Sequence, residues 1–150
     1  MIKQICFIVS SPLYWRDYER YGAETLIENG FDVQFFDISP YMNPALFSGA
    51  TKKDIYNGSK KKILDSKKHT LDTLKKLSKN TFIVVLLPHF NHATYHIFRY
   101  ISKIKIPYAI SVLSCIPIYK NPSKKNSLLQ KLKRLKLDNI AGAILNKIFH

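Results

Sequence analysis

The sequence predicts an α/β fold built on a parallel sheet, and three observations carry that prediction. Residues 3–39 run in the order apolar stretch, amphipathic stretch, Asn29-Gly30 stop and second apolar stretch, which is the order of a β-α-β unit. Thr81–Leu87 is an unbroken β-branched and apolar run, the pattern of a strand buried on both faces. Prolines at 12, 40, 88, 107 and 117 punctuate the chain where strands and crossovers should change over. Together they specify a Rossmann-like three-layer domain with about four parallel strands, near 3–9, 32–38, 81–87 and 108–114.

Each element has its own justification. The first strand, centred on Ile5–Val9, ends at Ser10-Ser11-Pro12. A single helix is expected from about Tyr14 to Glu28, because Tyr14, Tyr18, Tyr21 and Thr25 or Leu26 recur at helical spacing and Gly30 supplies a stop. The second strand, Val33–Ile38, ends at Ser39-Pro40. Residues 40–58, with two prolines and two glycines, read as a long loop with a short helical turn near Pro44–Phe47. Lys60–Lys79 reads as an outer helix with Ile63, Leu64, Leu71, Leu74 and Leu77 on its apolar stripe. After Thr81–Leu87, a helix is expected over Asn91–Ile104 with Asn91 as N-cap, then a fourth strand over Pro107–Cys115. Beyond Pro122, Leu128, Leu132, Leu135, Ile140, Ile144 and Ile148 recur near helical spacing opposite a lysine-rich side. The chain thus divides into an α/β domain, 1–117, and a basic amphipathic helical segment, 118–150, which reads as the start of a truncated linker or second domain.

Composition sets the boundaries on function. A 150-residue chain that is 46% hydrophobic has the material for one buried core. Cys6 and Cys115 fall in expected buried strands, so they read as reduced core thiols rather than a disulfide or zinc framework. The N-terminus lacks the pattern of a signal peptide, and no run approaches the roughly 20 apolar residues of a membrane span. The expectation is a cytoplasmic protein, held peripherally at the inner face of the plasma membrane.

The net charge of +14 is unevenly placed. Residues 1–57 carry five Lys/Arg against seven Asp/Glu, whereas 58–80 carry eight against two and 118–150 eight against one. Basic charge concentrated in two helical segments points to an anionic partner. For Lys124, Lys125, Lys131, Lys133, Arg134 and Lys136 that partner is expected to be an anionic membrane surface, with leucines inserted and cations at the headgroups. The segment equally fits packing on a further C-terminal domain. Nucleic acid ranks last, because little aromatic residue interleaves these lysines.

The candidate chemistry is sparse. The turn after the first strand has no glycine, which argues against a dinucleotide or P-loop phosphate cradle in this domain. In parallel sheets ligands bind beyond the carboxyl ends of the strands. Ser10 and Ser11 there offer hydroxyls, and Tyr14-Trp15-Arg16-Asp17-Tyr18 supplies aromatic faces and an Arg fork suited to sugar rings and phosphates. His89, at the tip of the third expected strand, is the one candidate general base. His92 and His96 share a helix face with His89 one turn earlier, but no nearby Asp, Glu or Cys completes a metal set, and none is expected. Asp37, at the end of the second strand, could bind a ligand hydroxyl or cap the next turn.

The stretch ICFIVSSPLYWRDYERYGAETLIENGFDVQFFDISPYMNP resembles the N-terminal domain of bacterial surface-polysaccharide biosynthesis proteins of the GT-B glycosyltransferase type. The shared features are a first strand leading to a helix, then the Asn29-Gly30-Phe31-Asp32-Val33 entry to the second strand. TFIVVLLPH and the Lys/Leu-rich 124–150 segment are similar in character. The resemblance implies the acceptor-side half of a two-domain enzyme for capsule, lipopolysaccharide or another surface glycan. A nucleotide-sugar donor would then bind only in a full-length two-domain protein, and this chain itself would hold no cofactor. It further implies that Ser10, Ser11, Tyr14, Arg16 and His89 line the cleft against a sugar or lipid-linked acceptor. The competing expectation is a non-catalytic α/β module that docks on an anionic membrane or a protein partner.

Overall fold

The computed structural model describes residues 1–51, 53–87 and 92–111. Five strands form one all-parallel sheet: β1 (Gln4–Val9), β2 (Asp32–Asp37), β3 (Lys61–Ile63), β4 (Thr81–Leu86) and β5 (Tyr108–Ile110). The order across the sheet is β3-β2-β1-β4-β5, so the direction of winding reverses between β1 and β4. β1 pairs in register with both neighbours, Phe7 lying against Phe35 on one side and Val84 on the other. The expected Rossmann-like α/β architecture is therefore present. It has one more strand than the sequence suggested.

Alternation along β1 feeds two cores, one on each face. Cys6 and Ile8 join Phe36, Ile83 and Val85 on one face, packed under α5 (Lys67–Lys75) and α6 (Tyr95–Ile104) through Leu74, Ile97, Phe98 and Ile101. Phe7 and Val9 join Val33, Phe35 and Leu86 on the other, packed under α1 (Trp15–Arg20) and α2 (Ala23–Glu28) through Tyr18 and Ala23. α1 and α2 thus cover one face of the sheet, and α5 and α6 cover the other. Cys6 is fully buried, and burial, with Asp32 nearby, pushes its thiol up to about 12, so it is inert at neutral pH.

Four expectations are corrected. The single helix over Tyr14–Glu28 is two short helices, because Gly22 sits in the left-handed region at φ 65° and turns the chain between them. Only past that break does the helix run to its stop, where the Gly30 amide donates to the Ile27 carbonyl and the Phe31 amide to the Leu26 carbonyl. This is the paired closure of a Schellman motif, with Leu26 and Phe31 both packed on the same core. Gly22→Ala should therefore destabilise the domain by about 1 kcal/mol, since an L-residue pays that to enter the left-handed region. Gly22→Asn should cost less, and urea denaturation of the two variants checks the order.

The second correction is the Lys60–Lys79 helix. Its first turn is instead β3, an edge strand pairing Phe36 with Lys62 and Asp37 with Ile63. Ile63 is exposed while Leu64 is wholly buried in the core. Ser66 then caps α5, its hydroxyl accepting from the His69 amide at 3.2 Å. Third, the 40–58 loop holds two short helices, α3 (Ser39–Met42) and α4 (Pro44–Ser48), rather than one turn. The helix expected over 91–104 begins at Tyr95, after a turn through His92, Ala93 and Thr94.

The segment 118–150, expected to be helical, with Lys124, Lys125, Lys131, Lys133, Arg134 and Lys136, lies outside the described residues. So do His89, Asn91, Cys115 and the end of the fourth expected strand. Among the described residues no helix is long and apolar enough to cross a membrane.

Candidate functional site

The carboxyl end of β1 is where the sheet order reverses, and the candidate residues gather beside it. Ser10 is buried, and its carbonyl accepts the Asn43 side-chain amide at 2.6 Å, which ties the end of β1 to the α3–α4 junction. Ser11 is exposed. Leu13 is buried and anchors the turn into α1, its carbonyl accepting the Tyr56 amide at 2.9 Å. Tyr14 forms an antiparallel bridge with Ile55, and the Trp15 amide donates to the Asp54 carbonyl at 3.0 Å. The segment around residues 53–56 is thereby stitched to the start of α1.

This stitching makes a hollow of about 390 Å³ lined by Tyr14, Trp15, Arg16, Lys53 and Asp54. Trp15 is 49% exposed, yet its ring is held at a centroid distance of 4.8 Å from Tyr56, at 79°, and 5.8 Å from Tyr18, at 77°. Tyr18 and Tyr56 in turn stack on each other at 4.3 Å and 11°. The Tyr56 phenol fills the space where a Cβ at position 58 would stand, so Gly58 permits that placement. The Tyr18 hydroxyl donates to Glu24 at 2.9 Å; burial, and then that bond, push its ionisation well above the usual phenol range. The aromatic base is thus packed ring on ring beneath Trp15.

Charge at the rim is partly spent. Arg16 is mostly exposed, with only a 3.4 Å contact to Asp17, which also receives Arg20 at 3.1 Å. Arg16 and Lys53 face the hollow, with Asp54 the one carboxylate among its described lining residues. The geometry offers a fixed aromatic ring, two cations and one acceptor. That set can bind a hydroxylated ring bearing negative charge.

Of the four acceptor-side candidates, the structure brings Tyr14 and Arg16 together in this hollow and puts Ser11 on the surface. The Ser10 carbonyl is engaged by Asn43. Asp37 is wholly buried and accepts from the Ser39 amide at 3.0 Å, the Ser39 hydroxyl at 2.5 Å and the Leu13 amide at 3.4 Å. It organises two turns, so of its two sequence readings the capping one describes its contacts. Lys53 and Asp54 were missed, because tertiary contacts, the Tyr14–Ile55 bridge and the Tyr56 ring packing, bring them near. The tyrosine at 56 inside a Gly/Pro-rich segment was the one signal for that closure. Among the described residues no three His, Cys, Asp or Glu side chains cluster closely enough to hold a metal ion.

No protein-family model matches the chain, and no curated protein or solved structure matches it. The α/β assignment rests on the sheet order and its two helical layers.

Proposed function

We propose that this domain binds a carbohydrate acceptor beside the carboxyl end of β1, as the acceptor-side half of a glycosyltransferase-like protein of bacterial surface-glycan biosynthesis. The observation that carries the proposal is Trp15: a half-exposed indole, immobilised by Tyr18 and Tyr56, over a hollow rimmed by Arg16 and Lys53. A pre-fixed aromatic surface pays little ordering entropy when an apolar sugar face settles on it. The two cations suit an acidic sugar or a phosphate attached to it. Transfer itself would need a nucleotide-sugar donor held by a second domain.

Trp15 is the chain's single tryptophan, so its fluorescence reports on this hollow alone. Titration with neutral and acidic hexoses and short oligosaccharides should give saturable quenching, strongest for the acidic members. Calorimetry on Trp15→Ala, checked by circular dichroism to be folded, should show affinity reduced at least about tenfold, or about 1.4 kcal/mol. A flat titration across the panel, or an alanine variant that binds as well, would sink the proposal.

A second proposal, a module docking on an anionic membrane, draws on α5, where Lys67, Lys68 and Lys75 lie beside Leu71, with Asp72 paired to Lys75. In that case the chain pellets with phosphatidylglycerol vesicles in a salt-sensitive way while the Trp15 titration stays flat.

A further inference from the structure

On the opposite face of the sheet, elements following three strands converge. Tyr41 and Met42 come from α3 after β2, Lys67 from the first position of α5 after β3, and His92, Ala93 and His96 from the turn and helix after β4. They line a hollow of about 230 Å³. The Tyr41 hydroxyl lies 3.5 Å from His96 Nε2, and Thr70 Oγ1 lies 3.1 Å from the same hydroxyl and 3.0 Å from the Ser66 carbonyl. Thr70 has one hydroxyl proton. If that proton goes to Ser66, the Tyr41 proton is left to serve Thr70 or the hollow.

The charge here has one sign. Lys67 and two imidazoles face the space, and no carboxylate is among its described lining residues. Nearby carboxylates are engaged elsewhere: Asp37 with Ser39 and Leu13, Asp65 with His69, and Asp72 with Lys75. Among the described lining residues, three nitrogen bases and a phenol converge without a carboxylate, a set suited to an anion. Met42 and Ala93 add an apolar wall, and the volume exceeds that of a bare oxyanion.

We infer that this hollow binds the phosphate group of a phosphorylated ligand, with Lys67 supplying positive charge and His92, His96 and Tyr41 supplying hydrogen-bonding groups. His96 carries the supporting electrostatics. Burial lowers its pKa, and Lys67 and His92 lower it further, against a hydrogen bond to the Ala93 backbone that raises it. A bound phosphate would reverse that shift, since it stabilises the imidazolium. This site stands on the other side of the sheet from Trp15, and its existence does not depend on the carbohydrate proposal.

The test uses the full chain and histidine imidazole NMR, with signals assigned through single His→Gln variants. Titration with inorganic phosphate near neutral pH should move the His92 and His96 resonances together along a saturable curve. His69, paired with Asp65 on the surface, is the internal control. The double variant Lys67→Gln/His92→Gln should weaken phosphate binding at least tenfold while leaving the Trp15 emission unchanged. Glucose 1-phosphate and phosphatidic acid vesicles then distinguish the sources. Tighter variant-sensitive binding of the sugar phosphate assigns a soluble ligand, and variant-sensitive vesicle binding assigns a lipid headgroup. His92 and His96 shifts no larger than those of His69, or a double variant that binds phosphate like the parent, would overturn the inference.

Discussion

Asp37→Ala should lower the stability of the domain by on the order of 3 kcal/mol, although none of the ion pairs among the described residues involves it. The carboxylate at the end of β2 is wholly buried and accepts three hydrogen bonds, two from Ser39 and one from the Leu13 amide. Ser39 and Leu13 are themselves almost completely buried, so water cannot replace the lost acceptor. Each orphaned donor costs about 1–3 kcal/mol, with the long 3.4 Å bond to Leu13 at the bottom of that range. Asp37→Asn should fall between, since its amide oxygen can still serve Ser39 while its NH₂ group meets the Leu13 N–H. Asp32→Ala, on the same strand but at the surface beside Gln4 and Lys60, should stay within about 0.5 kcal/mol. Urea unfolding of the three variants decides the matter. Equal losses for Asp37→Ala and Asp32→Ala would mean that the buried acceptor is not what holds the two turns.

Those two turns show what could be read from the sequence and what could not. Strands β1 and β4 were legible because an unbroken apolar run fills each, and β2, interrupted by Gln34, because Gly30 opens it and Ser39-Pro40 closes it. β3 was not legible. Lys60-Lys61-Lys62 at the sheet edge is the charged protection that edge strands carry, and a lysine run with Leu71, Leu74 and Leu77 downstream mimics a helix face. The break at Gly22 was hidden for a related reason: helical periodicity in Tyr14, Tyr18 and Leu26 survives a turn that keeps both helices on one core. At the candidate site, position in the topology was readable and proximity was not. Tyr14 and Arg16 follow β1 and had to lie near the reversal of the sheet. Lys53 and Asp54 are separated from them by some forty residues, and the two segments meet through the Tyr14–Ile55 bridge and the packing of Tyr56 on Trp15 and Tyr18. Similarly, His92 and His96 were noticed for their mutual spacing, while their partners Tyr41 and Lys67 come from other crossovers.

Phe35→Ala should be the most damaging substitution on the α1–α2 face, at about 4 kcal/mol, and should disturb the candidate site without touching it. The ring is completely buried and stacks on Phe7 at 4.8 Å and 12°; it also meets Tyr18 at 5.7 Å and Tyr56 at 6.5 Å. Tyr18 and Tyr56 are the two rings that immobilise Trp15, so Phe35 is the floor under the aromatic shelf. Domains of this size have total stabilities of about 5–15 kcal/mol, so the alanine variant should still fold in the cold but unfold well below the parent on heating. Its Trp15 emission should shift to the red as the ring loses its fixed neighbours. Phe35→Leu keeps most of the volume and should cost about 1 kcal/mol, with emission close to the parent. If the leucine variant loses as much stability as the alanine variant, ring geometry rather than filled volume holds this face together. If the alanine variant keeps parental emission, Trp15 is positioned by the 53–56 segment alone, and the shelf does not depend on the core beneath it.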